Sequence, residues 1–509
     1  MKPEIVWAFV QNNRHLEVAK ACATRKMVRG LNHHSSRLFL YKLQHQPDEG
    51  DMTVRMRHAL ILLCALSQAQ PLQDYVHGRD DAYQWKLIRS IDLAAGAKGH
   101  ILELTSQRWR SETEVDKPVW KHWLTIVQPA KLTSKTGLLF IGSGSNLNPV
   151  PGTVPQRSIQ ISRDTGTVIA ELSMVPNQPL RFTDSPTRAR TEDGIIAYSR
   201  VKHFATKDDS WLVRLAMVKS GIRAMDAITE FLPNVQNFVI SGASKRGWTA
   251  WLIAAADTRV IAAIPMVIDA LNSEAITRHH FEAYGFFSSS LNDYVEQGLF
   301  PHKIGTPEYQ AVLKIEDPYS YRDNDQLRNI PKYMINASGD EFFLPDNSQF
   351  YFGDLKGEKY LRYEPNAKHN LAGSDARENL TAFYQSVLEH EKRPQFSWKK
   401  LTDGTLRVEA KDEPSEVRLW RATNPKARDF RLDVIGQAYK STLLKPVSKG
   451  IYEGRVAKPA TGYAAFFIEL TYPRGPGKQP FKFTTEVSVV PDVLPYKWDA
   501  AFEKYPQRN

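Results

Sequence analysis

Residues 237–260, "NFVISGASKRGWTAWLIAAADTRV", constrain the fold more than any other stretch of the chain. An apolar run from Phe238 to Ile240 enters a glycine-containing turn and passes at once into a segment whose Trp248, Trp251, Leu252 and Ala255 share one helical face. A buried strand followed directly by a helix is paired through a crossover rather than a hairpin, which predicts a parallel sheet covered by helices. The surrounding text agrees. From about residue 98, short apolar strands ("HILELTSQRW", "HWLTIVQP", "GLLFIGSG", "TVIAELSMVP", "VIAAIPMVID", "KYMINASGD") alternate with helical stretches, among them an amphipathic helix over 210–232 that ends before Pro233. Residues 270–330 are too long for a plain connection and are expected to form a mainly helical, lid-like insertion. "SDARENLTAFYQSVLEHE" reads as a helix capped by Ser374 or Asp375. Beyond Lys392 and Pro394 the period shifts to two, in "TLRVEAK", "EVRLWRAT", "GYAAFFIELTY" and "FKFTTEVSVV", which predicts a β-sandwich-like domain over 394–509.

The turn itself carries chemistry. Gly-x-Ser between strand and helix is the setting of a nucleophile elbow, but the expected closing glycine stands one place late: Arg246 occupies its position and Gly247 follows. Gly242 keeps its place two residues before Ser244, and Gly247 can supply the close helix–strand approach from its displaced position. Acyl transfer at Ser244 needs a base, an acid that orients it, and two N–H groups for the oxyanion. In the order Ser, acid, His, the base follows the acid. Only His369 and His390 lie beyond the last expected strands. His390 sits at the charged end of the terminal helix, as a surface cation does, whereas His369 lies in the polar loop "EPNAKHNLAG". Asp340 directly follows a strand and Gly339 and is the preferred acid; Glu341, Asp346 and Asp269 are the alternatives. The oxyanion donors are expected to be the N–H of Lys245 and one from the "GSGS" turn, at Ser143 or Gly144. Lys245 and Arg246 are candidates to receive an anionic substrate group, with a solvated helix turn as the plain reading.

Composition narrows the class. The formal charge is +11, but the first 69 residues hold ten basic and five acidic side chains, so +5 lies there and +6 on the remainder. That remainder has no dense basic block and no nucleic-acid motif, so no nucleic-acid partner is expected. "MTVRMRHALILLCALSQAQP", starting at Met52, has the basic segment, the apolar run and the small residues of a secretory signal with cleavage near Ala69. Translation from Met52 makes residues 1–51 an upstream over-extension, and the export route leads to the periplasm or beyond. The apolar run is too short for stable membrane insertion. Cys22 and Cys64 both precede the cleavage point, so the mature chain has no disulfide, thiol catalysis or cysteine metal site. The adjacent His279 and His280 are poor metal geometry; no metal and no cofactor are expected.

Longer strings resemble one family. "TEDGIIAYS", "RAMDAI", "SGASKRGWTAWL", "PMVIDALN", "INASGDEFFLPD" and "RLWRATNPKARDFR", spread over roughly residues 72–490, are similar to the PhoPQ-activated pathogenicity-related proteins, which share a domain with an autocrine proliferation repressor. The resemblance implies an α/β-hydrolase fold over 70–393 with a C-terminal β domain, exported in bacterial members. The displaced glycine also looks like the Gly-x-Ser-Arg-x-Gly turn of glucuronoyl esterases, in which the basic residue after the serine helps bind the oxyanion; here that residue is Lys245. The expectation is an exported serine hydrolase, esterase or peptidase, acting on a small molecule or peptide. The alternative is a secreted binding or signalling protein on the same scaffold that needs no turnover.

Overall fold

The computed structural model describes residues 71–507. The signal-like segment, the start at Met52 and both cysteines lie outside the described residues. Strands β1 (Gln84–Asp92), β2 (Lys98–Arg108), β3 (Val119–Gln128), β4 (Thr136–Ile141), β5 (Ile169–Leu172), β8 (Asn237–Ala243), β9 (Val260–Met266), β10 (Lys332–Ala337) and β11 (Lys359–Glu364) form one nine-stranded sheet, and β6 (Leu180–Phe182) pairs with β7 (Ser185–Arg190) in a separate hairpin. The order across the large sheet is β1-β2-β3-β5-β4-β8-β9-β10-β11. The first three are antiparallel neighbours, and from β5 to β11 every pairing is parallel. This is an α/β-hydrolase fold.

Its central strands are buried on both faces, so they read as continuous apolar runs rather than as alternations. All six residues of β4 and all six of β10 are buried. The helix Lys245–Ala256 is buried along its whole length, between β8 and β9 on one side and the helix Val213–Phe231 on the other. An all-round apolar helix has no solvent face to present, and this one needs none.

Between β9 and β10 lie the α-helices Ser273–Tyr284, Asn292–Glu296, Pro307–Glu316 and Asp325–Asn329. The final segment of the chain straps this stretch down: the Tyr496 N–H donates to the Glu282 carbonyl at 3.0 Å, and the Phe287 N–H donates to the Tyr505 hydroxyl at 3.0 Å. Among the described residues no helix is long and apolar enough to cross a membrane.

After residue 394 two antiparallel sheets follow. One contains Phe396–Lys400, Leu406–Ala410 and Ile451–Gly454; the other contains Glu416–Asn424, Lys440–Leu443, Tyr463–Tyr472, Phe481–Thr484 and Ser488–Val490. They do not form a core of their own. Ile264, Tyr333 and Phe383 share a buried cluster with Leu470 and Phe483, and Trp251 shares another with Ala465 and Phe467. Buried Arg362 of β11 ties the two parts together, pairing with Glu364 at 2.9 Å and with Glu469 across the junction. The shift in period at 394 is thus a change of secondary structure within one compact unit.

Candidate active site

Ser244 stands between β8 and the helix Lys245–Ala256 with φ 59° and ψ −131°, a backbone conformation costly for any residue but glycine. Its N–H donates to the Met266 carbonyl at 2.9 Å, which helps hold the turn. Both glycines are required by contact. A Cβ on Gly242 would lie 2.5 Å from the Arg246 carbonyl oxygen, and one on Gly247 would lie 2.9 Å from the carbonyl oxygens of both Gly242 and Met266. The late glycine therefore gives the close packing that the usual spacing gives one residue earlier. Ala243 is exposed and Ser244 half-buried, so the tip of the elbow faces outward from an otherwise buried element.

The other two residues follow neighbouring strands at the same carboxyl edge of the sheet, where ligands of open α/β sheets bind. Asp340 lies three residues past β10 and His369 five past β11. Their side chains meet: His369 Nδ1 is 2.8 Å from Asp340 Oδ2. An ionised carboxylate only accepts, so Nδ1 carries a hydrogen, and in the neutral imidazole Nε2 is then the nitrogen with the lone pair. Asp340 is fixed in turn by the Phe342 N–H, 2.7 Å from Oδ1. His369 Nε2 is buried with no hydrogen-bond partner among the described residues, the Ser244 hydroxyl included.

The alternative acids have other partners. Asp269 accepts from the Tyr351 and Tyr363 hydroxyls at 2.6 and 2.5 Å. Burial pushes its carboxyl up to about 8 against the opposing effect of those two bonds, with the charges of Asp340 and Asp346 adding to the rise. Glu341 accepts the His369 backbone N–H at 3.1 Å rather than the ring. Asp346 pairs with His279 at 3.1 Å and Arg428 at 2.5 Å. His390 is exposed at the end of its helix.

For the oxyanion, Lys245 is the first residue of its helix, where an N–H has no partner within the helix. The parallel register pairs Ile141 of β4 with Gly242 of β8. The Ser143 carbonyl is taken by the Met174 N–H at 3.1 Å, while the Ser143 and Gly144 N–H groups have no acceptor among the described residues. Gly144 has φ 141°.

The side chains of Lys245 and Arg246 are engaged inward. Lys245 Nζ lies 2.8 Å from Glu192 and 2.9 Å from Asp193. Arg246 donates to both Glu192 oxygens at 2.7 and 2.6 Å and to the Val175 carbonyl at 2.5 Å. Arg246 is thereby a brace beneath the elbow, not an open receptor for a substrate anion. Glu192 shows what the brace does: burial would raise its carboxyl, but the Arg246 bond and the two positive charges hold it down to about 2. Sequence reasoning quoted "TEDG" without giving its carboxylates a role. The available signal was two acidic residues opening an apolar helical run, the Glu192–Thr206 helix.

Ser244 opens onto a cavity of about 80 Å³. Trp248 and Ile268 line it from the sheet side, Ile276, His280 and Tyr294 from the insertion, and Phe342 and Phe343 from the loop after β10. The Phe342 ring centroid lies 4.4 Å from that of His369, so the imidazole packs against one of the side chains that line the cavity. His280 offers no competing base: Ser288 N–H donates to its Nε2 at 3.1 Å, and burial, with the Arg431 and His279 charges, lowers it to about 3.

Residues 72–431 match the family described as PhoPQ-activated pathogenicity-related protein. The chain is 37% identical over 469 residues to autocrine proliferation repressor protein A of Dictyostelium discoideum, covering 86% of this chain and 94% of that one. Among solved structures, acetyl xylan esterase 1 from a Thermoanaerobacterium species is 14% identical with a TM-score of 0.45, over 63% of this chain and 92% of its own. A glucuronoyl esterase from Solibacter usitatus is 13% identical with a TM-score of 0.40, over 64% and 93%.

Proposed function

The chain belongs to the PhoPQ-activated pathogenicity-related protein family, and on that premise we propose that it is an exported serine hydrolase cleaving an ester or amide through an acyl-enzyme on Ser244. One observation carries the reading: an imidazole held by Asp340 at 2.8 Å has its other nitrogen without a hydrogen-bond partner among the described residues and packs against Phe342 of the cavity that Ser244 lines. In this mechanism His369 Nε2 takes the Ser244 proton as Oγ adds to the substrate carbonyl. The developing oxyanion accepts from the N–H of Lys245 and that of Ser143 or Gly144. The imidazolium, stabilised by Asp340, protonates the departing alkoxide or amine as its bond to carbon breaks. Water then repeats the sequence on the acyl-enzyme. The experiment is active-site labelling with a fluorophosphonate together with turnover of a panel of esters and peptide amides. Stoichiometric labelling is expected, lost in Ser244→Ala along with about 10⁴-fold or more of turnover, at an unchanged melting temperature. Equal turnover in that variant would refute the assignment.

A second reading has its own support. The 37% identical relative is named for repressing proliferation, not for a reaction, which favours a secreted binding or signalling protein on a hydrolase scaffold. Well-folded protein that takes up no fluorophosphonate would favour it. Export, in either reading, rests on the segment from Met52 to Ala69; N-terminal sequencing of secreted protein should begin near Gln70.

A further inference from the structure

A buried guanidinium with unmet donors lines the cavity at Ser244. Arg214, in the helix Val213–Phe231, is only 4% exposed, and among the described residues its Nε and Nη1 have no hydrogen-bond partner. The carboxylate within reach is Glu316, 3.9 Å from Nε. That carboxylate is already engaged by Arg200, whose Nε donates to it at 2.9 Å. Two buried guanidiniums thus share one carboxylate, and Arg214 has the poorer part of it. Its face is satisfied, since it lies 4.0 Å over the Trp248 ring. Its edge, where hydrogen bonds form, is not. A charge taken out of water without paired donors is unfavourable unless something else supplies the partner.

The position is suited to a substrate. Trp248 is one helical turn past Ser244, its N–H donating to the Ser244 carbonyl at 3.0 Å. Ser244 and Arg214 line the same cavity, so a short chain bonded at Ser244 enters the space that Arg214 also borders. The lining combines apolar Trp248, Ile276, Leu291 and Phe300 with the Lys245–Asp193 ion pair, closed on itself at 2.9 Å. A cavity of about 80 Å³ admits only a small group. We infer that this cavity is an acyl pocket for an anionic group: Arg214, with Arg200 behind it, binds a carboxylate at the far end of a short acyl chain whose carbonyl meets Ser244. This rests on the hydrolase reading for the chemistry, though not for the binding. Arg fits a carboxylate through two parallel N–H donors, which a lysine cannot reproduce.

The test compares two esters of equal length, the para-nitrophenyl half-ester of glutaric acid and para-nitrophenyl pentanoate, on the full chain. The wild-type protein is expected to favour the anionic ester in kcat/KM by at least tenfold. Arg214→Gln should collapse that ratio, and Arg214→Lys should restore part of it. Calorimetry on Ser244→Ala separates the two claims, because it needs no turnover: monomethyl glutarate, with one free carboxylate, should bind at least tenfold more tightly than neutral methyl pentanoate, and the double variant with Arg214→Gln should lose the difference. Labelled, active enzyme with equal kcat/KM for both esters would overturn the anionic pocket and leave the hydrolase standing. Inert protein that still selects monomethyl glutarate through Arg214 would do the reverse. Should Arg214→Gln fail to fold, the two ratios measured with Arg214 intact decide, and equal values sink the inference.

Discussion

Among the described residues, two hydrogen-bonded histidine–carboxylate pairs are nearly alike on paper. His369 with Asp340 lies at the carboxyl edge of the sheet; His279 with Asp346 lies between the insertion and the loop after β10. The distances, 2.8 and 3.1 Å, do not distinguish them. What surrounds them does. Among the described residues Asp340 has no lysine or arginine within salt-bridge range, and the imidazole has its far nitrogen without a hydrogen-bond partner. Asp346 is shared with Arg428, and His279 spends Nε2 on the carboxylate while its ring packs against Phe350 at 4.9 Å. A dyad is equipped for proton transfer by what it leaves free. The second pair, buried and with its carboxylate shared with Arg428, is a fastener.

Replacing each histidine tests that contrast most strongly. His369→Ala should cost about 10³–10⁴ in kcat with little loss of stability. His279→Ala should leave kcat within roughly tenfold and lower stability by about 1–3 kcal/mol, the cost of an unmet buried hydrogen bond. Paired kinetics and thermal melts on both variants check this, and similar kinetic losses would erase the distinction.

Next comes Arg428→Met, which strands a buried carboxylate and should cost about 3–5 kcal/mol. The pH dependence has a definite sign. Burial would raise Asp346, but His279 and Arg428 outweigh it and hold its carboxyl far below the usual range. A depressed carboxyl contributes stability that is present above the unfolded value near 4 and lost as pH falls below it. Acid melts of Arg428→Met should therefore be shallower below about pH 4.

The smallest effect concerns Asp269, which is displaced the other way. Raised to about 8, it binds its proton more tightly folded than unfolded. Its contribution is full below about pH 4 and drains away as pH climbs through 8. Asp269→Asn should flatten stability across that interval, by an amount readable in denaturant midpoints at several pH values.

The parts of the site that were legible in the text depend on local chain geometry. Gly242, Ser244 and Gly247 announce a turn because strand and helix patterns flank them without a gap. The structure explains the displaced glycine by a close approach to Met266 on the next strand, a contact invisible from sequence. The choice among Asp340, Glu341, Asp346 and Asp269 could be ordered but not made. Asp269 and Asp340 each follow a parallel strand by three residues, and Asp340, Glu341 and Asp346 share one loop. Strand β11, "KYLRYE", was not anticipated, because Lys359, Arg362 and Glu364 break its apolar pattern. Arg362 and Glu364 are nonetheless buried, paired with each other and with Glu469. The buried guanidiniums Arg200 and Arg214 and the half-buried carboxylates Glu192 and Asp193 went unassigned for the same reason: a charge in a sequence looks solvated until its partners are known.

By itself the sequence determined a parallel sheet wrapped by helices, an elbow at Ser244 and a later change to β structure, since periodicity and turn chemistry act over neighbouring residues. Only the tertiary structure decided which carboxylate holds His369, that Lys245 and Arg246 face inward to Glu192, and that the C-terminal strands share the core of the larger sheet. Those outcomes depend on which distant groups are brought within a few ångströms and kept from water, and no local pattern encodes that.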